Sequence, residues 1–201
     1  MPGGKTPIGF YKLLSTSGIN WSNVCFILSD ERMVPWDHQY SNYFMIREML
    51  LEQLPAKNKP MVIPEMKDYL GDNMEEFLYK TNLTLKENFP VRYAFLGIGS
   101  DGHTASLFSD NDITRKDKNN FFYTNKFNES IQRMTLSFDF LKSIPEISFL
   151  VSGKSKYACL NKIIKNDQNI SKSPAHQLIE QAVGNVFILC DYNAYFMNNH
   201  D

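Results

Sequence analysis

The stretch VRYAFLGIGSDGHTASLF, residues 91–108, decides how this chain is read. Its first half is an apolar run of strand character, rich in aromatic residues. Its second half places Gly97, Gly99 and Gly102 around Asp101 and His103. A strand that runs into a glycine turn and then delivers an imidazole fits an open α/β sheet, because ligands in such folds sit outside the carboxyl ends of the strands.

Working outward, strand-like and helix-like segments alternate. TPIGFYKLL (6–14) has helical spacing, with Thr6 placed as N-cap and Pro7 at the first helical position. NVCFILS (23–29) is the short continuous apolar run expected of a strand covered on both faces. SNYFMIREMLLEQL (41–54) is amphipathic, with Ser41 as cap and Pro55 beyond its end, and NMEEFLYKTNLTLKENF (73–89) is a helix stopped by Pro90. FFYTNKF (121–127), RMTLSF (133–138), EISFLVSG (146–153) and NVFILC (185–190) read as strands; KSKYACLNKIIK (154–165) and DYNAYFMN (191–198) read as helices. TASLF (104–108) reads as a further helix start. This alternation predicts one α/β domain over residues 1–201, a largely parallel sheet with helices on both faces. The pair 121–127 and 133–138 is expected to form a local antiparallel excursion.

With 43% hydrophobic residues in 201, the chain has material for a sizeable core. Its net charge of -1, without a long basic run, argues against a nucleic-acid partner, and TRKDKNN (114–120) reads as a solvated loop of mixed charge. Cys25, Cys159 and Cys190 are odd in number and far apart, which suits buried reduced thiols in a cytoplasmic protein better than a disulfide framework or a metal site. No apolar run approaches the ~20 residues of a membrane helix, and MPGGKTPIGFYKLL lacks the pattern of a signal peptide.

The titratable residues follow strands. DER comes after 23–29, GIGSDGH after 91–96 and SGKSK after 146–151. His103 has the chemistry of a general base for water and Asp101 could fix its tautomer, although a histidine capping a surface turn fits the spacing equally. Asp30, Glu31 and Arg32 read either as a self-satisfied surface cluster or as an arginine steered toward negative charge on a substrate. Trp36, Asp37 and His38 follow in an irregular loop, with His38 at the surface. PGGKTP (2–7) exposes N–H donors that can cradle a phosphate, a plain loop being the default. Arg133 and Lys156 are single cations near strand ends; beside the glycine turn they are what a phosphate dianion requires.

GIGSDGHTASLF together with SDERMVPWDHQYSNYFMIREMLL closely resembles the 6-phosphogluconolactonase family, and the likeness runs in order from the opening GG through DER, SN, RMT and GKSK to DYNA. Glucosamine-6-phosphate deaminases are similar too, but there the DGH loop continues toward AFNEP and DEY stands in place of DER. The resemblance implies a three-layer fold shared with those deaminases and with ribose-5-phosphate isomerase, with no cofactor and no metal. The implied partner is a small phosphorylated sugar lactone, handled by a monomer or homodimer that opens 6-phospho-D-glucono-1,5-lactone with water. It maps the general base onto His103, the preceding aspartate onto Asp101 and the arginine of DER onto Arg32. It assigns phosphate and substrate contacts to Gly3, Gly4, Thr6, Asp30, Gly99, Arg133 and Lys156. Alternatives are a sugar-phosphate deaminase or isomerase, or a non-catalytic sugar-phosphate-binding relative. Members of that family begin with a strand, a helix and a second strand that enters the glycine turn. Here Met1 and Pro2 stand where that second strand ends, and Lys5 replaces a small polar residue. The expectation is therefore an N-terminally shortened domain with an open sheet edge.

Overall fold

Within the apolar run 23–29 the strand covers Cys25–Ile27, and from Asp30 the chain pairs with a different strand. In this computed structural model, which describes residues 1–69, 73–88, 90–115, 119–126, 130–167 and 173–196, the elements gather into two compact units, Met1–Phe89 with Phe121–Thr135 and Pro90–Asn120 with Leu136–Asp201. The first unit holds α1 (Ile8–Ser15), β1 (Cys25–Ile27), β2 (Asp30–Arg32), α2 (Asn42–Met49), β3 (Met61–Ile63), α3 (Met74–Asn88), β5 (Phe121–Thr124) and β6 (Arg133–Leu136) up to Thr135. The second holds β4 (Tyr93–Gly97), α4 (Asp110–Thr114), α5 (Phe138–Lys142), β7 (Glu146–Val151), α6 (Tyr157–Ile164), α7 (Pro174–Gln181), β8 (Asn185–Cys190) and α8 (Tyr192–Tyr195). The fold class is α/β. The expected segments reach Phe89, Phe127 and residues 197–198, which lie outside the described residues, as does the middle of TRKDKNN.

In the first unit β1 runs parallel to β3, with Phe26 opposite Val62. On the other edge of β1 the Met1 nitrogen donates to the Ile27 carbonyl (2.7 Å) and the Ser29 N–H to the Met1 carbonyl (3.0 Å). That is the bond pattern of a parallel strand end, and the chain then turns through Gly3 and Gly4 into α1. Tyr11 of α1 is fully buried and donates its hydroxyl proton to the Pro2 carbonyl at 2.5 Å. Thr6 does not cap this helix. Pro7 occupies the cap position and no side chain makes the cap bond, so Thr6 lies one residue too early. β2 leaves β1 and pairs antiparallel with β6 in a sheet ordered β2-β6-β5. The segment 133–138 thus has an antiparallel partner the sequence did not suggest, the DER strand. Ser41 does cap α2, accepting the Phe44 N–H at 3.0 Å.

The second unit is a parallel three-stranded sheet, β4-β7-β8. β7 is central, and its Ile147, Phe149 and Val151 are buried. α6 buries Cys159, Leu160 and Ile163, one stripe at helical spacing. Cys190, at the end of edge strand β8, is exposed, unlike the buried thiol expected there; Cys159 is buried, and all three cysteines are free. No helix among the described residues is long and apolar enough to cross a membrane.

Phe149 has Leu96 and Ile188 beside it in register and no solvent contact. Phe149→Ala should destabilise the fold by about 3–5 kcal/mol in equilibrium urea unfolding. A loss below about 1 kcal/mol would mean that β7 is not the spine of its sheet.

Candidate active site

The loop after β4 is built by hydrogen bonds that a short glycine-rich segment can make with itself. Gly99 donates its N–H to the His103 carbonyl (2.8 Å), Gly102 to the Gly99 carbonyl (3.0 Å), and the Thr104 hydroxyl to the Gly97 carbonyl (2.9 Å). The Ala175 N–H, at the start of α7, donates to the Gly102 carbonyl (2.9 Å) and pins the loop from outside. TASLF is not a helix start. Leu107 folds back on Thr104 (N–H to carbonyl, 3.0 Å), with Ala105 at φ +49°, and the first helix after the loop is α4, capped by Ser109. Buried Thr104 explains the difference, because its hydroxyl is committed to the Gly97 carbonyl of the turn itself.

His103 and Asp101 form the chemical centre of this loop. The Asp101 carboxylate takes the His103 backbone N–H (3.2 Å) and meets Nδ1 of the ring at 2.5 Å. In the neutral tautomer that donates from Nδ1 to this carboxylate, the lone pair lies on Nε2. The hydrogen bond from His103 holds the Asp101 carboxyl well below the usual carboxylate range, so it is the ionised partner. The ring packs on Phe108, centroids 4.9 Å apart, and the imidazole side chain keeps 27% of its surface exposed, enough to meet a solute. Gly99 is a spatial necessity: a methyl group there would overlap both the His103 ring and the Asp101 carboxylate.

The loop after β7 is held by a residue that sequence reasoning did not single out. Asp191, just after β8, accepts the Ser152 hydroxyl (2.6 Å) and the Gly153 N–H (3.1 Å), then caps α8 through the Ala194 N–H (2.8 Å). These bonds, Ser152 first, lower its carboxyl from the ordinary value. They fix the turn Lys154–Lys156 that presents Lys156. Asp101 and Lys156 both lie within electrostatic reach of Cys159. The thiol of Cys159 is raised mainly by burial, and it feels both the Asp101 charge, which raises it further, and the Lys156 charge, which lowers it.

The other candidates lie in the first unit. Asp30 and Glu31 are buried rather than part of a surface cluster. Strand alternation sends Glu31 to one face and Asp30 with Arg32 to the other. Arg32 donates from Nη1 to the Tyr40 carbonyl (2.9 Å), while its buried Nε has no hydrogen-bond partner among the described residues. Directly opposite Arg32 in the β2–β6 ladder stands Arg133, so two guanidinium groups share one strand face with Asp30. Gly3 of the glycine turn touches Asn42: a methyl at Gly3 would fall on the Asn42 amide, whose nitrogen donates to the Asp30 carbonyl at 2.9 Å. Gly4 and Thr6 follow in the same turn. Asn42 is thus a second residue that sequence reasoning missed; the SN pair of the family likeness was the available signal. His38 is partly exposed and accepts the Tyr40 N–H through Nδ1 (3.1 Å). Together, Gly3, Gly4, Thr6, Asp30, Arg32 and Arg133 belong to one unit, and Gly99, Asp101, His103 and Lys156 to the other.

Comparison with known proteins returns one family. Residues 1–188 match the model described as glucosamine-6-phosphate isomerases/6-phosphogluconolactonase. A 6-phosphogluconolactonase of Helicobacter pylori (strain ATCC 700392 / 26695) is 28% identical over 182 residues, 90% of this chain and 78% of that one. The Thermotoga maritima 6-phosphogluconolactonase is 32% identical over 171 residues, 83% and 74% of the two chains. A crystal structure of 6-phosphogluconolactonase from the same organism superposes with a TM-score of 0.76 at 28% identity, covering 94% of this chain and 83% of that one. A monomeric glucosamine-6-phosphate deaminase structure gives 0.75, covering 96% and 85%; at 18% identity this likeness speaks to the fold alone.

Two outcomes follow from the His103 loop. Gly99→Ala should abolish the downfield proton resonance of the Nδ1–H to Asp101 bond in imidazole-labelled NMR spectra; its persistence would show that close approach at Gly99 does not set the pair. Because the Asp101 carboxyl is lowered in the folded state, its contribution to stability is present above the ordinary carboxylate range and lost as pH falls through it. Asp101→Asn should therefore flatten the fall in melting temperature between about pH 5 and pH 2, and an unchanged slope would remove the pair from the acid response.

Proposed function

The chain belongs to the glucosamine-6-phosphate isomerase/6-phosphogluconolactonase family, and from that premise we propose that it hydrolyses 6-phospho-D-glucono-1,5-lactone to 6-phosphogluconate. The Helicobacter pylori and Thermotoga maritima relatives, matched over most of the chain, are named 6-phosphogluconolactonases. The observation that carries the chemistry is the 2.5 Å pairing of His103 Nδ1 with Asp101, which leaves Nε2 as an unencumbered base on a glycine-built loop.

In the mechanism, Nε2 of His103 takes a proton from water as the water oxygen bonds to the lactone carbonyl carbon. Asp101 keeps the ring in the required tautomer and stabilises the imidazolium. The tetrahedral intermediate carries its negative charge on the former carbonyl oxygen. When it collapses, the bond from that carbon to the ring oxygen breaks, and the imidazolium returns its proton to the departing alkoxide. The product is an open-chain acid that ionises. Arg32 is assigned to negative charge on the reacting substrate. Arg133, Lys156 and the Gly3–Gly4–Thr6 turn are assigned to the phosphoryl group, with Asp30 and Gly99 contacting the substrate. The placement of Arg133 opposite Arg32 supports this reading, since two guanidinium groups on one strand face suit a dianion. The phosphoryl grip is a handle whose binding energy orients the carbonyl against the base.

Lactone opening should be followed below neutral pH, where the spontaneous reaction is slow. Acceleration over that background supports the assignment; ammonia release from glucosamine 6-phosphate, or binding of 6-phosphogluconate without turnover, would replace it. His103→Ala should lower kcat roughly 10²–10⁴-fold with KM little changed, and full activity in that variant would dismiss His103 as the base. Lys156→Ala should chiefly raise KM; an unchanged KM would count against its phosphate role.

A further inference from the structure

Glu31 has no role in the mechanism above, yet it is the most enclosed charged side chain of the first unit, with no solvent exposure. Its carboxylate accepts four hydrogen bonds. Oε1 takes the N–H groups of Arg32 (2.6 Å) and Asn42 (2.7 Å); Oε2 takes the N–H of Tyr43 (2.7 Å) and the hydroxyl of Ser41 (3.1 Å). Asn42 and Tyr43 open α2, and Ser41 itself takes the Phe44 N–H. Between them, one carboxylate and one hydroxyl satisfy the first three N–H groups of that helix, which would otherwise lack partners. The helix dipole adds to the attraction. Burial pushes the Glu31 carboxyl up to about 7, against the pull of the three backbone donors, and a shell made only of donors suits the carboxylate rather than the acid.

The consequence concerns Arg32. Its own N–H ends on Glu31, and its guanidinium is held by the carbonyl of Tyr40, the residue immediately before the Ser41 cap. Both anchor points of the arginine are therefore fixed by the same carboxylate, one directly and one through the start of α2. We propose that Glu31 is a positioning residue for Arg32, acting from the opposite face of β2 by locking the chain on both sides of the loop 33–40. This rests on the assignment of Arg32 to substrate charge.

Arg32→Ala, Glu31→Gln and the double variant should be compared for kcat and KM on 6-phosphogluconolactone, with folding checked by circular dichroism. Glutamine keeps the shape of the side chain but turns an NH2 group toward N–H donors. The expected result for Glu31→Gln is a loss in kcat/KM of roughly 10–100-fold, the cost of a misplaced functional group. The loss should fall on the same parameter that Arg32→Ala changes, and the double variant should be no worse than Arg32→Ala within about threefold. A purely structural role would lower the melting temperature without matching that division between kcat and KM. Retention of kcat/KM by folded Glu31→Gln, or losses that multiply in the double variant, overturns the proposal. If Arg32→Ala alone changes nothing, the assignment of Arg32 fails and the proposal with it. Should Glu31→Gln not fold, Ser41→Ala keeps the carboxylate and withdraws one donor: a loss of roughly 3–10-fold that vanishes in the Arg32→Ala background supports the proposal, and no loss overturns it.

Discussion

Backbone N–H groups left over where strands and helices end must find acceptors, and in this protein carboxylates next to the candidate functional residues supply them. Glu31 takes those of Arg32, Asn42 and Tyr43; Asp101 takes that of His103; Asp191 takes those of Gly153 and Ala194. Asp112 does the same for Phe108 and Ser109 where the GIGSDGH loop runs out. Each bond to a charged acceptor is about twice as strong as a neutral one. Leaving such a donor unsatisfied in the interior costs about 1–3 kcal/mol. The acids therefore give loops the rigidity usually found in strands and helices, which a site requires when catalysis depends on fixed distances.

This economy of acceptors explains why local rules are broken where they are. Two arginines face one another across β2 and β6, and a carboxylate is enclosed where apolar side chains would pack more cheaply. Ala105 adopts a left-handed backbone in the turn beyond His103. Such departures from the consistent pattern concentrate at sites rather than in the scaffold. The β4-β7-β8 sheet of the second unit shows none of them: Ile147, Phe149 and Val151 alternate with their neighbours as a plain buried strand.

How much of this could be read from the sequence depended on distance along the chain. The strand leading into GIGSDGH, the Ser41 cap, and the strands at 146–151 and 185–190 were legible because their signals are local: apolar runs, capping residues, glycine turns. β3 was hidden because Pro60 and Pro64 bracket only three strand residues, too short a run to register. α7 was passed over although Ser173 and Pro174 form a standard start, its apolar stripe being confined to eight residues. DER resembled a surface cluster because three charged residues in a row usually are one. Only the helix 10 to 12 positions further on, supplying donors to Glu31, makes an interior acid affordable. Thr6 and TASLF erred in the other direction, since good capping chemistry is also good turn chemistry.

The contact between Gly3 and the Asn42 amide reaches beyond this one molecule. A side chain at position 3 would fall in the volume of the Asn42 amide, so position 3 cannot grow while Asn42 stays in place. Across related chains they should vary as a couple: a larger residue in the turn would require a smaller one at the head of α2, and that exchange would give up the bond to the Asp30 carbonyl. A steric overlap of a few atoms thereby restricts which ancestral substitutions were open to the whole segment from the glycine turn to the helix.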